Sequence, residues 1–200
     1  MTTPISPDTR EDILFSIINR FIGLHSRDAV RHTINDTSRE YPFVAMDPRQ
    51  VFAQIACVAE HLGLDPESPM ADPPRFLDIG CGIGNVLLMA EQFGFAVYGI
   101  EKDQYPATIA ARLIGEDRID QADIWSYGGF DRFEVVYYFR PFADRELQLR
   151  FERLVEDRLR PGAILIANHK NSTAIEQDSR FSRLCPGLPV WIKDDGEAIR

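Results

Sequence analysis

Three carboxylates and a run of glycines are the residues of this chain whose spacing carries chemistry. Residues 76 to 84 read Phe-Leu-Asp-Ile-Gly-Cys-Gly-Ile-Gly, so an apolar run closes on Asp78 and glycines follow at alternate positions, Gly80, Gly82 and Gly84. Glycine has no Cβ, and such a turn lets bare backbone lie against a nucleotide-like ligand. Asp78 selects among such ligands, because it repels a pyrophosphate and attracts a sulfonium or an ammonium group. Glu101 stands 21 residues beyond Gly80. An acid at that distance, at the tip of a second strand, is placed to hydrogen-bond both hydroxyls of a ribose. Asp123 is the third acid, where residues 118–124 read as a short strand running into a turn.

The glycine spacing separates two cofactor classes. Dinucleotide oxidoreductases use G-x-G-x-x-G, whose third glycine would fall on Asn85, whereas the chain has G-x-G-x-G. Asp78 with Gly80, Gly82 and Gly84 resembles the first motif of class I S-adenosylmethionine-dependent methyltransferases, and the resemblance extends over roughly residues 76–169. It implies S-adenosylmethionine as cofactor, with Asp78 near the methionine end and Gly80, Cys81, Gly82, Gly84 and Asn85 forming the close turn. It also implies Glu101 at the ribose, Lys102 and Tyr137 among the cofactor-binding residues, Asp123 accepting from the adenine amino group and the Ile124 amide donating to the ring. Asp120 is the alternative to Asp123, and Trp125 is placed to cover the adenine face.

The elements that must position these residues are legible from periodicity. From residue 75 the order is strand, helix, strand, helix, strand, strand, helix, strand, with near-continuous apolar strands such as residues 133–139 and 163–167. That alternation indicates an α/β fold, a Rossmann-like, doubly wound, mostly parallel sheet covered on both faces. Asp78, Glu101, Asp123 and residues 137–141 then fall at or past the carboxyl ends of strands, where such folds bind ligands. An N-terminal helical extension over residues 1–70 precedes the cofactor-binding domain, residues 71–200. Its first helix is capped by Ser6 and Pro7 and expected to stop at Gly23, before a polar stretch over residues 26–40. A second starts at Asp47 and Pro48 and stops at Gly63. At the other end, the apolar run 190–193, Asp195-Gly196 and residues 198–200 predict a short closing hairpin or a shortened sheet edge.

Acceptor chemistry is less marked. Where some amino-methyltransferases carry Asn/Asp-Pro-Pro-aromatic, this chain reads Tyr138-Phe139-Arg140-Pro141-Phe142, which argues against methylation of a base or amide nitrogen by that route. The catalytic candidates near the strand tips are Tyr137, Tyr138 and His169 as bases, with Arg140 to orient an anionic acceptor. Gly99-Ile100-Glu101-Lys102, with Pro106, Ala107 and Ala110, is also similar to SET-independent protein lysine methyltransferases, but it assigns no lysine substrate.

Composition narrows the partners. Lys and Arg total 22 against 31 Asp and Glu, a net charge of −9, which opposes nucleic-acid binding because that rests on neutralising phosphates with cations. Cys57, Cys81 and Cys185 form no C-x-x-C pair and are expected as free thiols in a cytoplasmic protein. His25, His32 and His61 show no ligand spacing, so no metal is expected, and no run of about 18 apolar residues could span a bilayer. The expected function is methyl transfer to a small molecule or a protein side chain. A non-catalytic cofactor-binding subunit and an NAD-dependent oxidoreductase are the alternatives.

Overall fold

The computed structural model describes residues 7–194. The chain begins with α1 (Pro7–Arg31) and α2 (Pro48–His61). It continues through β1 (Arg75–Ile79), α3 (Asn85–Gln92), β2 (Ala96–Glu101), α4 (Gln104–Ile114) and β3 (Ile119–Gln121). Then follow β4 (Val135–Phe139), α5 (Arg145–Arg158), β5 (Ile164–Asn168), β6 (Phe181–Arg183) and β7 (Val190–Lys193). The strands form one sheet in the order β3-β2-β1-β4-β5-β7-β6. β3 to β5 are parallel, and β7 runs antiparallel between β5 and β6. The strand order reverses beside β1, whose neighbours are β2 and β4, so the crevice of a doubly wound sheet opens past the glycine turn.

Side-chain alternation along the strands builds two cores. Phe76, Val97, Val135, Tyr137, Ile164 and Val190 face a layer that includes Phe15 and Ile18 of α1, Ile55 and Val58 of α2 and Leu87 of α3. Leu77, Ile100, Val136, Tyr138 and Leu165 face Phe151 and Val155 of α5 and the aromatics Phe130 and Phe133. Residues 7–62 therefore share a core with the sheet.

Three expectations are corrected. α1 does not stop at Gly23 but runs to Arg31. A glycine inside a helix costs about 1 kcal/mol, and the following turns offset it, since Ala29 is fully buried and the Ser26 hydroxyl donates to Ile22 O. The expected cap at Ser6 lies outside the described residues. Secondly, the hairpin that β7 closes is made with the strand before it, and the expected partner, residues 198–200, lies outside the described residues. β7 pairs with β6 through a turn holding Gly187 in the left-handed region (φ 77) and closed by Leu184 N donating to Val190 O. The sheet thus has both C-terminal strands, in short form, with only a single 3-10 turn (Ala174–Gln177) between β5 and β6.

The third correction concerns the thiols. Cys57 of α2 and Cys185 of the β6–β7 turn form a disulfide with Cα atoms 6.6 Å apart, across a separation of 128 residues. Only the fold brings them together, which is why no local spacing announced it. Cys81 is a free, buried thiol.

Candidate functional site

The glycine turn is built by hydrogen bonds to the tip of β2. Gly80 N and Cys81 N both donate to Ile100 O, at 2.8 and 3.0 Å, and Gly82 N donates to Glu101 Oε2 at 2.8 Å. Glu101 Oε1 accepts from Asp103 N, also at 2.8 Å. Gly84 caps α3 in the left-handed conformation (φ 84), and a Cβ there would meet Ala110 of α4 at 3.2 Å, so α3 and α4 approach only because that position is bare. Gly99 faces the turn from β2, where a Cβ would lie 2.6 Å from Cys81 Sγ.

Asp78 is 2% exposed at the penultimate position of β1, in register with Gly99 and Tyr137. Burial pushes its carboxyl well above the usual carboxylate range, and the charge of Glu101 pushes it further. Burial raises Glu101 as well, partly offset by the N–H donors of Asp103 and Gly82. The Cys81 thiol is raised by burial and by both carboxylates, so it stays protonated and inert.

A crevice of about 280 Å³ opens over this turn. Its floor and one flank are Ile79, Gly80, Gly82, Glu101, Lys102, Asp103, Asp123 and Ile124, and its other flank is Phe139, Arg140, Phe142 and His169. Lys102 donates to both oxygens of Glu40, at 2.8 and 3.1 Å, and lies 3.7 Å from Asp123. Its partial burial lowers its proton affinity, but Glu40 and Asp123 outweigh that and the net shift is upward. Asp123 Oδ1 also accepts from Trp125 N.

The structure therefore brings Gly80, Gly82, Glu101, Lys102, Asp123, Ile124, Arg140 and His169 around one crevice, with Asp78 buried directly behind the turn. Other expected residues stand elsewhere. Gly84, Asn85 and Cys81 are buried and are not among the residues that line the crevice. Tyr137 and Tyr138 are fully buried on opposite faces of β4. The Tyr137 hydroxyl donates to Met46 Sδ at 3.3 Å, and burial with the nearby Asp78 raises it. Tyr138 is raised by burial with Glu152 and Glu156. Neither phenol is positioned or ionised to act as a base. Trp125 packs on Phe142 with the Arg150 guanidinium 4.7 Å over its ring, outside the crevice, and Asp120 lies within β3.

Sequence reasoning missed the crevice's roof. The segment after α1 crosses the strand tips as a strap. The Thr33 hydroxyl and Ile34 N donate to the two oxygens of buried Asp103, at 2.6 and 2.8 Å. At the other side Tyr41 N donates to Pro141 O, Glu40 bridges Phe142, and Arg39 O accepts from Ala143 N and Asp144 N. Between these anchors Phe43 lies on Gly82, its ring carbons 2.4 and 2.5 Å from where a Cβ would stand. The apolar group Tyr41-Pro42-Phe43-Val44 at the end of a polar stretch was the one signal of it.

No protein-family model and no curated protein matches the chain. Solved structures do share its fold. An RNA methyltransferase from Salinibacter ruber in complex with S-adenosyl-L-homocysteine is 19% identical, with a TM-score of 0.51 over 78% of this chain and 97% of that one. A 16S rRNA methyltransferase of T. Thermophilus in complex with AdoMet and guanosine is 19% identical, with a TM-score of 0.53 over 78% of this chain and 45% of that one. Streptomyces venezuelae DesVI aligns more loosely, at 18% identity and a TM-score of 0.44, over 60% of this chain; the chain spans about half (51%) of its length. The protein thus has the Rossmann-like fold of class I S-adenosylmethionine-dependent methyltransferases.

Proposed function

We propose that the protein is an S-adenosylmethionine-dependent methyltransferase acting on a small molecule or a protein side chain. One observation carries the reading: Asp78, buried, and Glu101, half-buried at the crevice, flank a glycine-rich turn, and desolvation raises both carboxyls. A ligand with a sulfonium and an ammonium group relieves this shortage of positive charge, whereas a pyrophosphate worsens it. The donor set fits the same ligand, since Glu101 stands at the β2 tip where a ribose is held and Asp123 with Ile124 stands past β3. When bound, the cofactor supplies an electrophilic methyl group that leaves a neutral sulfide behind.

The chain's own residues would position and exclude. Gly82 leaves room for close approach, and the strap with its Phe43 ring covers that floor, so a ligand reaching Gly82 turns the ring aside. In-line displacement needs alignment and desolvation more than acid–base chemistry, in keeping with phenols held protonated inside the core. The net charge of −9 supports an acceptor other than nucleic acid, although two of the three structural neighbours described above are RNA methyltransferases by name.

The test is incubation of cell extract with methyl-labelled S-adenosylmethionine, with and without the protein, followed by sorting of label into protein, nucleic acid and small molecules. Label in small molecules or protein is the expected result, and label in RNA overturns the acceptor class. Cofactor binding without any transfer identifies a binding subunit. Binding of NAD with no response to S-adenosylhomocysteine ends the reading.

A further inference from the structure

The crevice is electrically lopsided. Glu40, Glu101, Asp103 and Asp123 line the side formed by the strap and the tips of β2 and β3, and Lys102 on that side is engaged by Glu40 and Asp123. On the β4 and β5 side stand Arg140 and His169. Arg140 makes no ion pair among the described residues, its guanidinium lies 5.5 Å over the Tyr41 ring, and its Nε is buried with no hydrogen-bond partner. A buried donor left unmet is costly, and it points to an acceptor group brought in by a ligand.

Backbone geometry singles out the same two residues. Among the described residues, Arg140 (φ 26) and His169 (φ 53) are the non-glycine positions with positive φ. They follow Phe139 and Asn168, which are register partners on β4 and β5, so they project from neighbouring strand ends. Such conformations are unfavourable for side chains other than glycine and persist where surrounding bonds enforce them. Here Tyr41 N holds Pro141 O, and Phe142 N donates to Gln148 Oε1 at 3.2 Å. The walls on this side are flat and apolar: Tyr41, Phe139, Pro141 and Phe142.

We propose that Arg140 is the anion-binding residue of the acceptor subsite, and that the acceptor is a small aromatic carboxylate. The guanidinium fork matches a carboxylate bidentately, and the aromatic walls take the ring. The carboxylate then lies on the Arg140 flank of the crevice, across from its acidic side. This assignment rests on the methyltransferase reading for its purpose, while the binding of the anion stands on Arg140 alone.

The experiment follows 4-fluorobenzoate and its uncharged analogue 4-fluorobenzamide by fluorine NMR line broadening, with the full chain in the presence and absence of S-adenosylhomocysteine. Wild type is expected to bind the carboxylate about tenfold or more tightly than the amide, the scale of one hydrogen bond to a charged group. Arg140→Gln loses that preference and leaves amide binding unchanged, and Arg140→Lys, which keeps the charge without the fork, falls between. Thermal melts of each variant verify folding. Equal binding of carboxylate and amide, or an unaltered preference in Arg140→Gln, overturns the proposal, as does tight binding of inorganic phosphate with none of fluorobenzoate. Failure of S-adenosylhomocysteine to bind in the same samples counts against the methyltransferase reading and leaves the carboxylate comparison valid.

Discussion

Substituting Gly82 by alanine, with and without Phe43→Ala, tests how the strap meets the glycine turn. Gly82 sits at φ 55, and holding alanine in the left-handed region costs roughly 1–2 kcal/mol. Its new Cβ would stand 2.4 and 2.5 Å from two carbons of the Phe43 ring, and forcing such overlap into packed structure typically costs about 1–3 kcal/mol. Gly82→Ala alone is therefore expected to lose about 2–5 kcal/mol. In a Phe43→Ala background the overlap is gone and only the backbone cost of about 1–2 kcal/mol remains. Urea unfolding of the four proteins gives the difference directly, and in thermal melts each kcal/mol reads as roughly 2–4 °C in a chain of this size. Losses that add to within about 0.5 kcal/mol would mean that the ring yields freely, and the reasoning would be wrong. Titration with S-adenosylhomocysteine adds a second readout: Phe43→Ala should bind it more tightly, because no ring has to be displaced. Weaker binding would make Phe43 a wall of the bound site.

Asp103→Ala removes the acceptor of both the Thr33 hydroxyl and Ile34 N. It should cost about 1–3 kcal/mol and speed amide exchange across residues 33–44, and unchanged exchange there would refute the anchor. The raised carboxyls of Asp78 and Glu101 set a pH dependence. The unfolded chain loses these protons first, near 3.8 and 4.5, so the unfolding free energy falls as pH rises from there through the raised folded values. Asp78→Asn should flatten that slope and weaken S-adenosylmethionine more than S-adenosylhomocysteine, which lacks the sulfonium charge; an equal effect on both would place Asp78 away from the sulfur. Of the three cysteines, unreduced, denatured protein should offer a single alkylatable thiol, Cys81. Three modified cysteines by mass spectrometry would contradict the Cys57–Cys185 link.

What could be read from the sequence, and what could not, follows from how local each signal is. The strand, glycine turn and helix around Asp78 lie within a dozen residues, and the period of the apolar positions places them. Glu101 and Asp123 follow because parallel strands alternating with helices return each carboxyl end to the same rim. The strap has no such period. Its order comes from Asp103, whose carboxylate binds Thr33 and Ile34 instead of capping its own helix, a pairing across about 70 positions of chain. The disulfide is non-local in the same way, joining positions 128 residues apart. Tyr137 and Tyr138 were misplaced as bases because a strand end is not yet a surface: the strap and Met46 cover one and α5 covers the other.

The Cys57–Cys185 link encloses the exposed connector between α2 and β1, where Asp65, Glu67 and Met70 face solvent. A protease that nicks this connector, such as one cutting after Glu67, leaves two fragments still joined as one covalent molecule. They migrate apart on a denaturing gel only after reductant is added.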